Sequence, residues 1–227
     1  MIQNDTSRLL TQVRDHVEYL RLLGMEELPV ADPRDLMQEL LARVAACTDC
    51  PLHENALNPV FGEGPLDARI MFVGEGPGES EDRKGRPFVG KAGQLLTKMI
   101  EAMGITREQV YICNVVKHRP PRNRDPEPRE VTACLGFLEK QIALVNPQVI
   151  VTLGNVPTKA LLKTTEGITA MRGRWHQRQG VMVRPTYHPS FLLRNEGTPQ
   201  QRQAKAQAWE DLRAVMSYLE MEPNVSK

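Results

Sequence analysis

No run of about 18 or more apolar residues occurs in this 227-residue chain, and no basic segment followed by an apolar one opens it. A membrane span and a secretory leader are therefore both unsupported, and a cytoplasmic protein with no membrane partner is expected. Internal repeats and low-complexity tracts are also missing. Cysteine is scarce: in a reducing compartment, four thiols point to metal ligands or buried side chains before disulfides. Net charge is nearly absent at +1, but it is unevenly spread. Residues 1–40 hold four Arg against eight Asp or Glu, while the remainder holds 25 basic against 20 acidic residues. What is present, 41% hydrophobic and 25% charged residues, is ordinary globular usage and fits one catalytic domain with a small extension.

Helical spacing joins Leu10, Val13, Val17 and Leu20, with Gly24 as a stop. Asp32-Pro33 opens a second helix whose apolar stripe is Leu36, Leu40, Leu41 and Val44. The stretch from Pro29 to Pro33 is the candidate linker, so residues 1–40 are expected as a helical, acidic extension to a domain over 41–227. Strand-like runs follow at 69–74, 110–116, 149–154 and 181–187. Between them lie helical stripes: Leu95, Leu96, Met99, Ile100 and Met103, closed by Gly104; then Val131, Leu135, Leu138 and Ile142. Asn155-Val156-Pro157 starts another helix, and Ala208, Leu212, Val215 and Leu219 mark the last. This alternation predicts a three-layer α/β/α fold around a central, mostly parallel four-stranded sheet.

Two segments, Gly74-Glu75-Gly76-Pro77-Gly78 and His188-Pro189-Ser190-Phe191-Leu192-Leu193-Arg194, begin where expected strands end. Open parallel sheets bind ligands beyond the carboxyl ends of their strands, so the two loops should face one site. One offers backbone N–H groups and a carboxylate, the other an imidazole and an arginine. Such a set suits a polar planar group beside a phosphate backbone. Basic clusters reinforce this: Arg83, Lys84, Arg86 and Lys91; Lys117, Arg119, Arg122 and Arg124; Arg172, Arg174 and Arg178 around Trp175.

Cys47-Thr48-Asp49-Cys50 has the spacing that lets two thiolates reach one metal centre. Further ligands would come from Cys113, His118 and Cys134. Cys113 lies in an expected strand five residues before His118, so the two point to opposite faces if that strand runs on. Spacing leaves tetrahedral zinc, an iron–sulfur cluster and a redox dithiol with two buried cysteines all open.

Gly74-Glu75-Gly76-Pro77-Gly78-Glu79, Gly85-Arg86-Pro87-Phe88-Val89-Gly90, Asn114-Val115-Val116-Lys117, Arg119-Pro120-Pro121-Arg122-Asn123-Arg124 and His188-Pro189-Ser190 occur in that order. Over about residues 45–220 the chain resembles the family-four uracil-DNA glycosylases. The resemblance implies a DNA repair hydrolase that excises uracil by cleaving its N-glycosidic bond and leaves an abasic site. It also implies a [4Fe–4S] cluster on Cys47, Cys50, Cys134 and a third position that falls on His118, where the family usually has cysteine. A branch of the superfamily that traps its product covalently also looks to have Lys-His there; the competing ligand is Cys113. The cluster is expected to be structural, tying the Cys47 segment to the Cys134 helix and shaping the Arg-rich loop.

Cleaving this bond requires stabilising a departing uracil anion and an oxocarbenium-like sugar, which is mainly electrostatic work. His188 is expected to donate to the uracil oxygen. Phe88 would stack on an everted base and the Asn114 amide would read its pairing edge, giving and accepting at once. Gly74, Gly76, Pro77, Gly78 and Ser190 complete the expected base pocket. Glu75 would orient base or water, because relatives in other families carry a water-activating aspartate at the position of Gly76. Leu192 is expected as the wedge that replaces the base in the stack, with Ser190, Arg194, Arg119, Arg122 and Arg124 on phosphates.

The expected partner is uracil-containing DNA, single- or double-stranded, and the protein a monomer. An alternative is a uracil-DNA binding or product-trapping protein of the same superfamily. That branch carries a basic insertion with its own histidine, whereas Arg122-Asn123-Arg124-Asp125-Pro126 has none, which favours turnover. An unrelated phosphate-binding enzyme using Gly74–Gly78 would lack both the Gly-Lys-Ser/Thr ending and the dinucleotide fingerprint.

Overall fold

A computed structural model describes residues 14–15, 17–23, 31–194 and 196–221. Leu10, Val13 and Gly24 of the expected first helix, and Pro29 of the expected linker, lie outside the described residues; Val17 and Leu20 fall in helical turns. The chain divides into two compact units, Met1–Asp32 and Pro33–Lys227. Helix α1 (Pro33–Ala45) is part of the second unit because Leu40 and Val44 pack with Phe61 and Phe137. Its expected stripe narrows accordingly: Leu36 and Leu41 are exposed, and Met37 takes their place.

The second unit follows the order β1 (Ile70–Gly74), α2 (Glu79–Lys84), α3 (Lys91–Ala102), β2 (Tyr111–Asn114), α4 (Pro128–Val145), β3 (Val149–Leu153), α5 (Asn155–Leu162), α6 (Ile168–Met171), β4 (His176–Arg178), β5 (Val181–Thr186), α7 (Pro189–Leu192) and α8 (Pro199–Tyr218). The sheet runs β2-β1-β3-β5-β4, with β1, β2, β3 and β5 parallel and β4 antiparallel to β5. It therefore has five strands where four are expected. The added β4 is a three-residue edge strand, His-Gln-Arg, whose polar composition carries no strand signal. Gln179 and Gly180, both at positive φ, turn it back into β5 in the manner of a two-residue hairpin loop.

Strands β1, β2 and β3 are buried at every position, which is why they read as continuous apolar runs. Alternation sends Met71, Val73, Cys113 and Ile150 to one face, under Leu138, Ile142 and Leu161 of α4 and α5. Ile70, Phe72, Ile112 and Val151 face the other way, under Leu96 and Ile100 of α3 and Leu212 and Val215 of α8. The layers match the sequence expectation. Among the described residues, no helix is long and apolar enough to cross a membrane.

Register brings the strand ends together. Gly74 pairs with Asn114, Val73 with Thr152, and Leu153 with Thr186, so β1, β2, β3 and β5 all deliver their loops to one edge. Asp211 of α8, fully buried, fixes the end of β5. It accepts from Arg172, from Arg184, from the Thr186 hydroxyl at 2.9 Å and from the Gly173 N–H. Two of the expected basic-patch residues are thus structural: Arg172 pairs with Asp211, and Arg178 pairs with Glu139. Removing the carboxylate would strand two guanidinium groups in the interior, so Asp211→Ala is expected to cost about 3–5 kcal/mol. A fall in the urea midpoint at unchanged slope would register this loss.

Candidate active site

The strand-end loops enclose a cavity of about 710 Å³ lined by residues of Glu75–Gly78, Phe88, Asn114, Gly154-Asn155, His188, Phe191 and Arg194, among others. Its floor is set by close packing. A Cβ at Gly74 would fall 2.3 Å from Asn114 Oδ1 and 2.5 Å from Phe88 Cζ, so glycine alone lets the amide and the ring meet over β1. Asn114 is 1% exposed, and its Oδ1 is the one buried side-chain oxygen or nitrogen without a hydrogen-bond partner among the described residues. An unsatisfied buried carbonyl costs about 1–3 kcal/mol, so this atom is set for a donor that the protein itself does not supply.

Phe88 holds its ring there in a left-handed backbone conformation, φ 50°. Such a conformation is costly for a bulky residue and persists only when its surroundings enforce it. Glu81 enforces it from one side, its Oε1 accepting from the N–H groups of Val89 and Gly90 at 2.8 Å each. Arg107 does so from the other, donating to the Pro87 carbonyl while paired with Glu63. Gly93 leaves room, since a Cβ there would overlap the Phe88 carbonyl. Sequence reasoning missed Glu81 and Arg107, because neither lies in a motif whose chemistry calls for it.

His188, just beyond β5, faces Phe88 with ring centroids 5.8 Å apart. The Ser190 backbone N–H donates to its Nδ1 at 3.1 Å, and Ser190 Oγ lies 2.7 Å from the same atom. A backbone N–H can only donate, so Nδ1 carries the lone pair and the neutral ring keeps its proton on Nε2. Burial first, and the Arg194 charge second, lower its pKa to about 4. The ring is therefore an uncharged Nε2–H donor at neutral pH. Ser190 serves the imidazole directly.

Of the carboxyls that line the cavity, Glu75, Glu81 and Asp125, Glu75 has its pKa raised to about 7 by burial and then by Asp125. Gly76 has no room for a side chain, because a Cβ would sit 2.7 Å from Val116 Cγ2. That packing explains why no aspartate stands there.

The remaining expected contacts are redistributed. Leu192 is 2% exposed, packed with Ala204 and Ala208, so it is not available as a wedge: one turn of α7 rotates it inward beneath α8. The same turn leaves Phe191 and Leu193 exposed, and only Phe191 of these two lines the cavity. Arg124 is drawn into a bidentate pair with the fully buried Glu130, at 2.7 and 2.8 Å. Arg119 bonds Asn123 at 2.7 Å and leans on Glu79 and Asp82. Both arginines brace the loop, whereas Arg122 and Arg194 are exposed. Lys117, expected in a basic patch, is 1% exposed.

The four cysteines form no disulfide; Cys50, Cys113 and Cys134 pack on the α4 side of the sheet, and Cys47 packs against the cluster of Val44 and Phe137. Burial pushes the Cys134 thiol up to about 11, and the fields of Cys50 and Cys47 both reach it. His118, 5% exposed, lies beside His53, whose Nδ1 is 2.7 Å from the Cys50 carbonyl. Cys113 is fully buried in mid-strand, where burial raises its thiol pKa and the nearby Lys117 lowers it. Among the described residues, no three His, Cys, Asp or Glu side chains converge closely enough to hold a single ion. A four-iron cluster spreads its ligands over separate corners, and cysteine thiolates are its ordinary donors, so Cys47, Cys50 and Cys134 suit it while an imidazole at the fourth corner would be a departure.

Residues 61–213 match the Uracil DNA glycosylase superfamily. The chain is 50% identical to the type-4 uracil-DNA glycosylase of Thermotoga maritima over 192 residues, 83% of this chain and 97% of that protein. It is 48% identical to the type-4 uracil-DNA glycosylase of Sulfurisphaera tokodaii over 71% of this chain and 77% of the relative. Identity to the type-5 uracil-DNA glycosylase of Pyrobaculum aerophilum is 31%, over 76% and 91%.

The Glu75 shift has a measurable consequence. Its carboxyl loses a proton near pH 4.5 when unfolded but near 7 when folded, so the native state holds the extra proton between them and stability falls as pH rises through that window. Glu75→Gln is expected to gain on the order of 1 kcal/mol over wild type at about pH 8 and nothing at about pH 4, after allowance for the solvent reaching the cavity. Denaturant midpoints at the two pH values would check it.

Proposed function

The chain belongs to the uracil DNA glycosylase superfamily, within its type-4 enzymes, and on that footing we propose that it removes uracil from DNA by hydrolysing the N-glycosidic bond. The product is an abasic site, as base excision repair requires. The single observation carrying this reading is the unpartnered Asn114 Oδ1, buried beside Phe88 and opening on the cavity. Uracil has an N3–H flanked by carbonyl oxygens. Asn114 Oδ1 accepts from that N3–H while its amide N–H donates to O4; cytosine offers the reverse pattern and leaves the amide mismatched.

In the reaction an everted uracil stacks on Phe88. As the C1′–N1 bond breaks, its electron pair passes to the uracil ring, and the Nε2–H of neutral His188 donates to the O2 on which charge grows. A neutral donor keeps its proton and lowers the energy of the anion without competing for it. Water then adds to C1′ of the oxocarbenium ion. Glu75 orients that water or the base, and the water's proton leaves to it or to solvent. Arg194 and Arg122 hold the DNA backbone about the mouth, while Ser190, whose N–H and hydroxyl both serve His188 Nδ1, positions the imidazole. Phe191, exposed at the rim and stacked on Tyr187 at 5.0 Å, fills the gap in the base stack in place of Leu192.

The cluster belongs to the same reading. Cys47, Cys50, Cys134 and His118 are its ligands; the charges of Cys47 and Cys50 both act on Cys134, whereas Cys113 is held within strand β2. When bound, the cluster supplies a rigid covalent tie between the Cys47 segment and α4.

Incubating the purified protein with oligonucleotides carrying uracil, cytosine or thymine at one position, then cleaving abasic sites with alkali, tests the function. Strand scission at uracil alone is expected; an uncut uracil strand would overturn the reading, and an adduct stable to detergent would replace turnover with product trapping. Phe191→Ala should slow excision from duplex DNA at least tenfold more than from single strands, because only the duplex must be unstacked. Equal slowing on both substrates would remove Phe191 from the wedge role.

A further inference from the structure

A helix of four residues does not set its own rotation, because a single turn fixes more backbone angles than its hydrogen bonds repay. Helix α7 is of this kind, yet it sends Leu192 inward, at 2% exposure, and leaves Phe191 at the rim, 45% exposed. Its first end is held by His188, whose Nδ1 accepts from the Ser190 N–H. Its last end is held from α8. Gln201, 7% exposed, donates from Nε2 to the Leu192 carbonyl at 2.9 Å, one of the carbonyls that a helix C-terminus leaves open. Its Oε1 accepts from the Gly197 N–H, also at 2.9 Å, and the Gly197 carbonyl accepts from Arg202 at 2.9 Å. One buried amide therefore clamps the chain where it leaves α7 and where it approaches α8. Along α8 the spacing 201, 204, 208 and 211 places Gln201 on one face with Ala204 and Ala208, whose small side chains receive Leu192, and with Asp211, which fixes the end of β5.

We propose that Gln201 is a positioning residue for excision from duplex DNA: by fixing the C-terminal end of α7, its amide keeps Phe191 at the rim, ready to take the place of an everted base. The inference rests on the uracil-excising function and on the wedge role of Phe191 given above. A wedge works by holding still while the duplex is unstacked around it. Phe191 draws part of that stiffness from Tyr187, stacked on it at 5.0 Å and bonded through its own hydroxyl to Gln207 of α8 at 3.1 Å. The clamp supplies the rest, since without it the single turn is free to roll and the Leu192 carbonyl has to find water. Uracil in a single strand needs no wedge, so its excision draws on Phe88, Asn114 and His188 and not on this clamp. Gln201 thus governs which form of DNA is used and leaves the chemistry alone.

The test measures single-turnover excision from duplex and single-stranded oligonucleotides by the full chain, with 2-aminopurine beside the uracil to report unstacking by its fluorescence. Gln201→Met keeps length and loses both bonds; Gln201→Glu keeps the acceptor for Gly197 and sets an oxygen against the Leu192 carbonyl. Both variants should excise from single strands within about twofold of wild type and from duplex about fivefold or more slowly, with a smaller fluorescence rise on duplex. In a Phe191→Ala background, Gln201→Met should slow duplex excision by less than about twofold further, because the two residues act as one unit. An unchanged ratio of duplex to single-strand rates would overturn the proposal. So would equal slowing on both substrates, which a general loss of folding produces, or full additivity with Phe191→Ala, which would make Gln201 act through some other group. A wild-type protein that leaves uracil in place sinks the function itself, and Phe191→Ala slowing both substrates alike sinks the wedge. Each of those differs from a clamp that proves indifferent beside a working wedge.

Discussion

The contact on which this molecule depends is the one that Gly74 permits. Parallel register sets Gly74 beside Asn114, and the missing Cβ lets the Asn114 amide and the Phe88 ring occupy space that any side chain would fill. Everything else in the cavity is arranged about that meeting. Glu81 and Arg107 hold the Phe88 loop in its strained form, and Lys117 caps the backbone of Asn114 from below. The ring and the amide are thus fixed before any base arrives, which spares the reordering that a mobile site would undergo at binding.

Burial then sets the charges. The imidazole and the carboxyl are both removed from water, and both shift toward their neutral forms: His188 downward to about 4 and Glu75 upward to about 7. A neutral Nε2–H next to a growing anion, and a carboxyl that gives up its proton near physiological pH, are the two useful states. One low-dielectric cavity produces most of both shifts, with the charges of Arg194 and Asp125 adding to them in second place. Arginine chemistry is divided in a similar way: Arg124, Arg172 and Arg178 hold the fold together through carboxylates, while Arg122 and Arg194 stand free of such burial.

The layered architecture was legible because β1, β2 and β3 are apolar on both faces and the helices between them keep a 3.6-residue stripe. The edge strand β4 was not, since three polar residues at a sheet margin gain their pairing from β5 and not from burial. Motif order led directly to Phe88, Asn114 and His188, which line one cavity. It failed for Leu192, where four residues of helix decide which of three adjacent apolar side chains points inward. Lys117 and Arg172 misled for the same reason: a positive charge in sequence is silent about whether water or a buried oxygen will receive it.

The order of loops, the identity of the reacting groups and the absence of a side chain at positions 74 and 76 were written in the sequence alone, because they follow from strand periodicity and from what each residue type can donate or accept. Tertiary structure decided the rest: which proton His188 keeps, which apolar residue reaches the rim, and which cations are spent inside the protein. Those properties depend on neighbours distant in the chain, and a pKa, a buried rotamer or an ion pair exists only once those neighbours have excluded the water.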